Sequence, residues 1–184
     1  MKEIFTVWKE TKQIVMVAIT AAIYAGMLIP FKPIQIIPGL TELRPASAIP
    51  VLFGVLFGPA AAWGSAIGNL IADFFGMLSL GSIFGFIGNF FFSYTAYKLW
   101  RILVKETTIG IKQLGIFIFI SIVASFICAL IIGLGVELIK IAPGMVIFLV
   151  IFTNNSIMSS VLGSILLKLL YKRIEKMGLI YRND

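Results

Sequence analysis

The sequence predicts an all-α integral membrane protein: a six-transmembrane-helix bundle with both termini cytoplasmic, forming a single membrane domain over residues 1–184. Three observations lead there. Of the 184 residues 60% are apolar and 12% charged, with 16 Phe against 8 acidic groups, a composition far from that of a soluble domain. The apolar residues fall into long runs, and six spans of roughly 20 residues each would use about 120, leaving no room for a soluble catalytic domain. The basic residues stand in small groups between those runs rather than along one polar face, so the net charge of +7 points to the anionic inner leaflet and not to nucleic acid.

The first run, about 12–31, follows Lys2, Lys9 and Lys12. It superficially resembles a signal peptide, but no polar mature domain follows it, so it reads as the first span. The second and third, 46–58 and 59–76, meet at Gly58-Pro59, where a flexible residue precedes one that cannot donate to a continuing helix, favouring a tight turn or sharp kink. Pro50 inside the second run is tolerated where neighbours satisfy the freed carbonyl. The remaining runs are 81–104, 112–137 and 144–170. With the N-terminus inside, alternation gathers Lys2, Lys9, Lys12, Lys98, Arg101, Lys105, Lys112, Lys168, Lys172, Arg173, Lys176 and Arg182 on the inner side, twelve of fifteen basic residues. Lys32, Arg44 and Lys140 stay outside with Glu42, Asp73 and Glu137, and the positive-inside rule selects this orientation. An odd number of spans would put a basic end outside.

The connector between the first two runs carries Pro30, Pro33, Pro38 and Pro45 with Gly39, and between them Ile34, Ile36, Ile37 and Leu40. A segment this apolar and proline-rich should be ordered against the bundle, which makes it a candidate lid.

Absences narrow the chemistry. There is no His, and the single thiol, Cys128, lies in an apolar run, which excludes disulfide scaffolds, Cys/His metal sites and His-based triads. No metal or cofactor site is expected. The chain lacks a G-x-x-x-x-G-K-[ST] loop, so any nucleotide energy comes from other chains. An intramembrane protease or phosphoalcohol transferase needs paired acids, yet Asp73 and the terminal Asp184 are the only aspartates, and catalysis is poorly provided for.

Polar side chains within spans are costly and mark candidate sites. Asn69 and Asp73, four apart, share one helix face near the outer end; they either join neighbouring helices or contact a ligand. Asn89 lies eight residues into its span, roughly 12 Å deep. Asn154 and Asn155 fall near the midplane of the last span, where adjacent side chains point about 100° apart, so at most one faces the lumen squarely. An amide offers both donors and acceptors to a heterocycle, which favours ligand binding for this pair. Glu42 and Arg44 point the same way from an extended connector, as a solvated salt bridge or as a fork of donors at the mouth of the bundle. Trp63, Phe84, Phe90, Tyr94 and Tyr97 offer rings for stacking or for packing. In the first span Ala18, Ala22 and Gly26 form one small-residue stripe and Ala21 and Ala25 its neighbour. One stripe can pack internally while the other meets another protein.

Together these features resemble the S component, the substrate-binding membrane subunit, of energy-coupling factor (ECF) transporters. The resemblance covers essentially the whole chain, and its most telling stretches are Glu42-Leu43-Arg44-Pro45 through Phe53-Gly54, Phe57-Gly58-Pro59-Ala60-Ala61-Ala62-Trp63-Gly64 and Gly68-Asn69-Leu70-Ile71-Ala72-Asp73. These are similar to S components for queuosine precursors or corrinoid-related precursors. The resemblance implies a multi-pass protein of a prokaryotic plasma membrane that binds a micronutrient in its outer half beneath the connectors. It further implies docking, through the small-residue face of the first helix, onto a transmembrane T component driven by two ATPase subunits. A non-transporting assembly subunit is the alternative that the small-residue stripes equally suit.

Overall fold

The computed structural model describes residues 2–76, 78–105 and 108–181. Arg182 and Asp184, and the Lys2 side chain, lie outside the described residues. A short helix α1 (Lys2–Thr6) and a 3-10 turn precede α2 (Thr11–Leu28). A two-stranded antiparallel hairpin follows, β1 (Gln35–Ile37) and β2 (Thr41–Glu42), pairing Gln35 with Glu42 and Ile37 with Thr41. The rest is helical: α3 (Ala48–Phe57), α4 (Pro59–Asp73), α5 (Gly81–Leu103), α6 (Ile111–Leu138) and α7 (Gly144–Lys176). Thr11–Phe31, Ile111–Leu138 and Gly144–Lys176 are long and apolar enough to cross a membrane.

The break between α3 and α4 is set by one residue. Gly58 adopts φ 61°, ψ −135°, a left-handed geometry that side chains disfavour, and Pro59 opens α4 at a position where its missing N–H costs nothing. A Cβ at Gly58 would also lie 2.5 Å from the Tyr181 ring, because the chain after α7 folds back and donates the Tyr181 N–H to Leu56 O at 2.8 Å.

Side-chain placement departs from a soluble domain's. Ser65, Ser93, Ser121, Ser125, Asn155 and Ser159 are buried, while Phe119, Phe126, Leu130, Leu149, Val161 and Leu169 are exposed. A large apolar exterior around a core that holds polar side chains among apolar ones is stable when the surrounding solvent is lipid. Helix α3 is buried along its whole length, and the others pack around it. Close approach depends on glycines: a Cβ at Gly64 would stand 2.7 Å from Val17 O and one at Gly68 2.8 Å from Ala21 O, so α4 lies backbone to backbone against α2. Contacts of Gly88 with Ile132 and of Gly133 with Gly144 join α5 to α6 and α6 to α7 in the same way.

Paired contacts fix the helix directions. Gly64 meets Val17 and Thr20 whereas Gly68 meets Ala21 and Tyr24, so α2 and α4 run parallel. Asn69 faces Gly85 while Trp63 stacks on Phe90, so α5 runs back. The two ends of the described chain meet at one end of the bundle, where Lys12 Nζ donates to Gly178 O at 2.7 Å. The hairpin closes the opposite end.

Candidate functional site

Four charged side chains converge under the hairpin. Lys32 comes from the connector, Glu42 from β2, Arg44 from the segment beyond it and Asp73 from the last turn of α4; all four are buried. Lys32 Nζ donates to Asp73 Oδ1 at 2.7 Å and stands 3.5 Å from Glu42 Oε1. Arg44 Nε lies 3.3 Å from the same Glu42 oxygen, and Arg44 Nη2 donates to Asn69 Oδ1 at 2.5 Å. Asn69 Nδ2 in turn donates to Asp73 Oδ2 at 3.2 Å. The set is electrically balanced, as a buried ionic cluster must be. It is not fully hydrogen-bonded. Glu42 Oε1 and Arg44 Nε are within ion-pair distance of each other, yet neither makes a hydrogen bond of good geometry. Glu42 and Arg44 line a cavity of about 40 Å³ together with Ser82, Gly85 and Ile151. Unused hydrogen-bonding capacity on buried atoms beside a cavity is where a polar ligand gains most.

Of the residues the sequence singles out, Glu42, Arg44, Asn69 and Asp73 line this cavity together. Asn89, Asn154 and Asn155 do not. Asn89 is wholly buried, donating to Gly85 O at 2.8 Å and accepting from the Tyr24 hydroxyl at 2.7 Å, so it stiffens the α5 wall of the cavity from behind. Asn154 Nδ2 donates to Glu42 O at 2.9 Å and Asn154 Oδ1 accepts from Arg44 N at 3.4 Å. That single amide staples the end of the hairpin to α7. Asn155 turns the other way, accepting from Ser47 Oγ at 2.6 Å and facing Cys128 Sγ. The aromatic set lies elsewhere too: Trp63, Phe90, Tyr94 and Tyr97 pack in sequence along the α4/α5 side, and the Phe84 ring lies against Gly135.

Two residues that sequence reasoning did not select belong to the cluster or its wall, Lys32 and Tyr24. The signal for Lys32 was available: it is a charge held between Pro30 and Pro33 in an otherwise apolar connector. The two stripes of α2 divide cleanly, with Ala21 and Ala25 buried and Ala18, Ala22 and Gly26 exposed.

A family model described as QueT transporter matches residues 14–172. The chain belongs to the QueT transporter family. That membership agrees with the resemblance to queuosine-precursor S components carried by the Glu42–Arg44 and Asn69–Asp73 stretches. The family is one of transporters and not of enzymes, and with the apolar helices it makes this a membrane transport protein. Neither the curated proteins nor the solved structures give a match to this chain.

Proposed function

We propose that this QueT-family chain is the substrate-binding S component of an ECF-type importer for a micronutrient of the queuosine-precursor, nucleobase-like class. The observation that carries the reading is the buried, incompletely hydrogen-bonded cluster of Glu42, Arg44, Asn69 and Asp73, brought to charge balance by Lys32, around a cavity beneath the hairpin. A purine-like edge sets acceptors beside donors. Guanidinium groups donate to the former and carboxylates accept from the latter, in paired contacts worth about 1–3 kcal/mol of discrimination each. In this reading those four residues touch ligand. Asn154 and Asn155 hold the connector to the bundle, and Asn89 braces the α5 wall.

The six helices α2 to α7 are six spans with both ends cytoplasmic, a topology supported by the basic residues gathered at the end where Lys12 meets Gly178. The exposed stripe of Ala18, Ala22 and Gly26 is the face offered to a T component, whose two ATPase subunits supply the energy. Two experiments separate binding from transport. Small molecules extracted from the purified chain are identified by mass spectrometry, and the ligand so found is titrated back. Changing Ala18 and Ala22 to Leu should then abolish co-purification with the T component and uptake in cells. Affinity of the solitary subunit should stay within about threefold, or roughly 0.7 kcal/mol, because the stripe lies outside the cavity. A purified chain that carries and binds no small molecule defeats the reading in favour of an assembly subunit, and unchanged co-purification of the Leu variant shows that α2 is not the docking face.

A further inference from the structure

The end of the bundle where Lys12 meets Gly178 holds cavities of opposite character. One is lined by Glu3, Glu10 and Lys12 beside the returning residues 178–181. Another, of about 190 Å³, lies where α5 stops and α6 starts and is lined by Leu103, Val104, Lys105, Lys112, Gln113 and Ile116. The second half of α5 reaches this end, since the Tyr97 ring meets that of Tyr181. Among the described residues none that lines the second cavity is acidic. Several cations nearby are already engaged: Lys98 pairs with Glu3, Arg101 Nη1 donates to the Tyr97 hydroxyl at 3.0 Å, and Lys12 donates to Gly178 O. Lys105 and Lys112 are exposed and pair with no acid among the described residues. Gln113 is buried, and its side-chain carbonyl accepts from Gly110 N–H at 3.0 Å; the other end of that amide carries two N–H donors. The first turn of α6 adds the positive end of a helix dipole. The polar half of the cavity thus suits an anion. Its other half is apolar, with Leu103, Val104 and Ile116 on the wall and Ile102 and Ile111 exposed beside them at 66% and 88%. Inorganic phosphate would use only the first half, whereas a phospholipid at the membrane surface fills both.

We propose that the cavity between the end of α5 and the start of α6 binds the headgroup of an anionic phospholipid, its phosphate held by Lys105 and Lys112 and its first methylenes laid over Leu103, Val104 and Ile116. The two lysines suit this place, because their apolar stems can lie along the helix ends while the ammonium groups stay at headgroup level. The site needs only that the chain resides in a membrane, and it stands apart from the importer reading and its ligand.

The full chain, purified in neutral detergent, is titrated with phosphatidylglycerol or with phosphatidylcholine of identical acyl chains, and bound lipid is counted by native mass spectrometry. One phosphatidylglycerol should bind about tenfold or more tightly than phosphatidylcholine. Lys105→Gln combined with Lys112→Gln should bring it to the phosphatidylcholine level, and the paired Arg variants should keep the preference. Both lysines are exposed, so these variants leave the packed core as it is. Lys168→Gln combined with Lys172→Gln removes the same charge from exposed positions of α7 outside the cavity. That pair should change the affinity by less than about threefold, because exposed charges at a distance are screened. Absence of a preference between the two lipids, or equal loss in the two Gln pairs, overturns the site in favour of diffuse charge. Displacement of the lipid by an equal concentration of soluble glycerol phosphate would show that the cavity takes free phosphate and overturns the lipid assignment. None of these results bears on the importer reading, whose failure would show in ligand extraction, uptake and co-purification.

Discussion

Replacing Asn154 by Ala distinguishes a residue that touches ligand from one that positions the lid. In the structure the side-chain amide makes one well-formed bond, to Glu42 O at 2.9 Å, and one long bond, from Arg44 N at 3.4 Å. Both partners are backbone groups of buried residues. Their loss leaves a carbonyl and an N–H with reduced satisfaction, a cost of about 1–3 kcal/mol. That free energy falls on the closed hairpin, because β1 and β2 are too short to hold themselves. The equilibrium for local opening should therefore rise roughly five- to 150-fold. Amide hydrogen exchange in nanodiscs reads it directly: protection of residues 41–44 should fall by that factor, while amides in the middle of α6 stay unchanged. Ligand affinity falls by the same factor if binding requires the closed hairpin. Exchange within twofold of the parent, together with weakened binding, would refute the positioning argument and put Asn154 in contact with ligand.

Two further changes test the packing and the opposite end. Gly68→Ala should destabilise the bundle by about 1–3 kcal/mol through overpacking, since its Cβ would stand 2.8 Å from Ala21 O. Gly26→Ala, whose Cβ meets nothing within 4 Å, should be neutral in the same unfolding assay, and equal effects would contradict the described α2/α4 contact. The Glu3 carboxyl is held below its ordinary range, chiefly by its hydrogen-bonded ion pair with Lys98, against the opposing effect of burial. A depressed carboxyl pKa stabilises at pH above the unfolded value of about 4.3 and loses that contribution as the pH falls through the folded value. The α1 contact, followed by fluorescence of the Trp8–Trp63 pair 5.6 Å apart, should thus persist through neutral pH and release only in more acidic solution. Glu3→Gln should remove that pH dependence.

The helices were legible because runs of apolar residues of this length have few alternatives, and Gly58-Pro59 announced its own break through two residues of opposite backbone habit. The charged cluster was legible in part. Glu42, Arg44, Asn69 and Asp73 each stood out as a charge or amide in apolar company, but the sequence did not say that they would meet one another. What periodicity does not carry is the identity of the neighbour. Adjacent positions on α7 do diverge as helix geometry demands, but Asn154 turns to the hairpin and Asn155 to Ser47 and Cys128, and both destinations lie more than two dozen residues away in sequence. Lys32 was read as an outer-side charge for the same reason, its partner Asp73 being 41 residues distant. The proline-rich connector signalled order without signalling strands, since a hairpin held by Asn154 and Lys32 needs little pairing of its own. Helix α1 was not anticipated. It is held by Trp63 Nε1 donating to Ile4 O at 2.9 Å and by the pair of Glu3 with Lys98, tertiary contacts that make a five-residue helix stable where its own length would not.

In the proposed importer, helix α4 keeps the ligand site and the docking face of so small a bundle apart. Gly64 and Gly68 lie four apart and give one face to α2; Asn69 and Asp73, also four apart, each lie five residues further along, about 140° round the helix, and give that face to the cavity. The glycine face leaves no slack, with backbone atoms of α2 already within 2.8 Å of where side chains would begin. An inward displacement at Asn69 or Asp73 would therefore have to move α2 as well. The opposite wall is the hairpin, attached by side-chain bonds from Asn154 and Lys32 that can break and reform without disturbing any helix. On the proposed reading the hairpin side is the one that yields to an entering ligand, while the exposed Ala18, Ala22 and Gly26 keep their spacing. In the proposed importer this assigns opposite consequences to the two walls. Changes in the hairpin alter affinity and the rate of loading, whereas changes on the outer face of α2 alter transport of a cargo that is still bound.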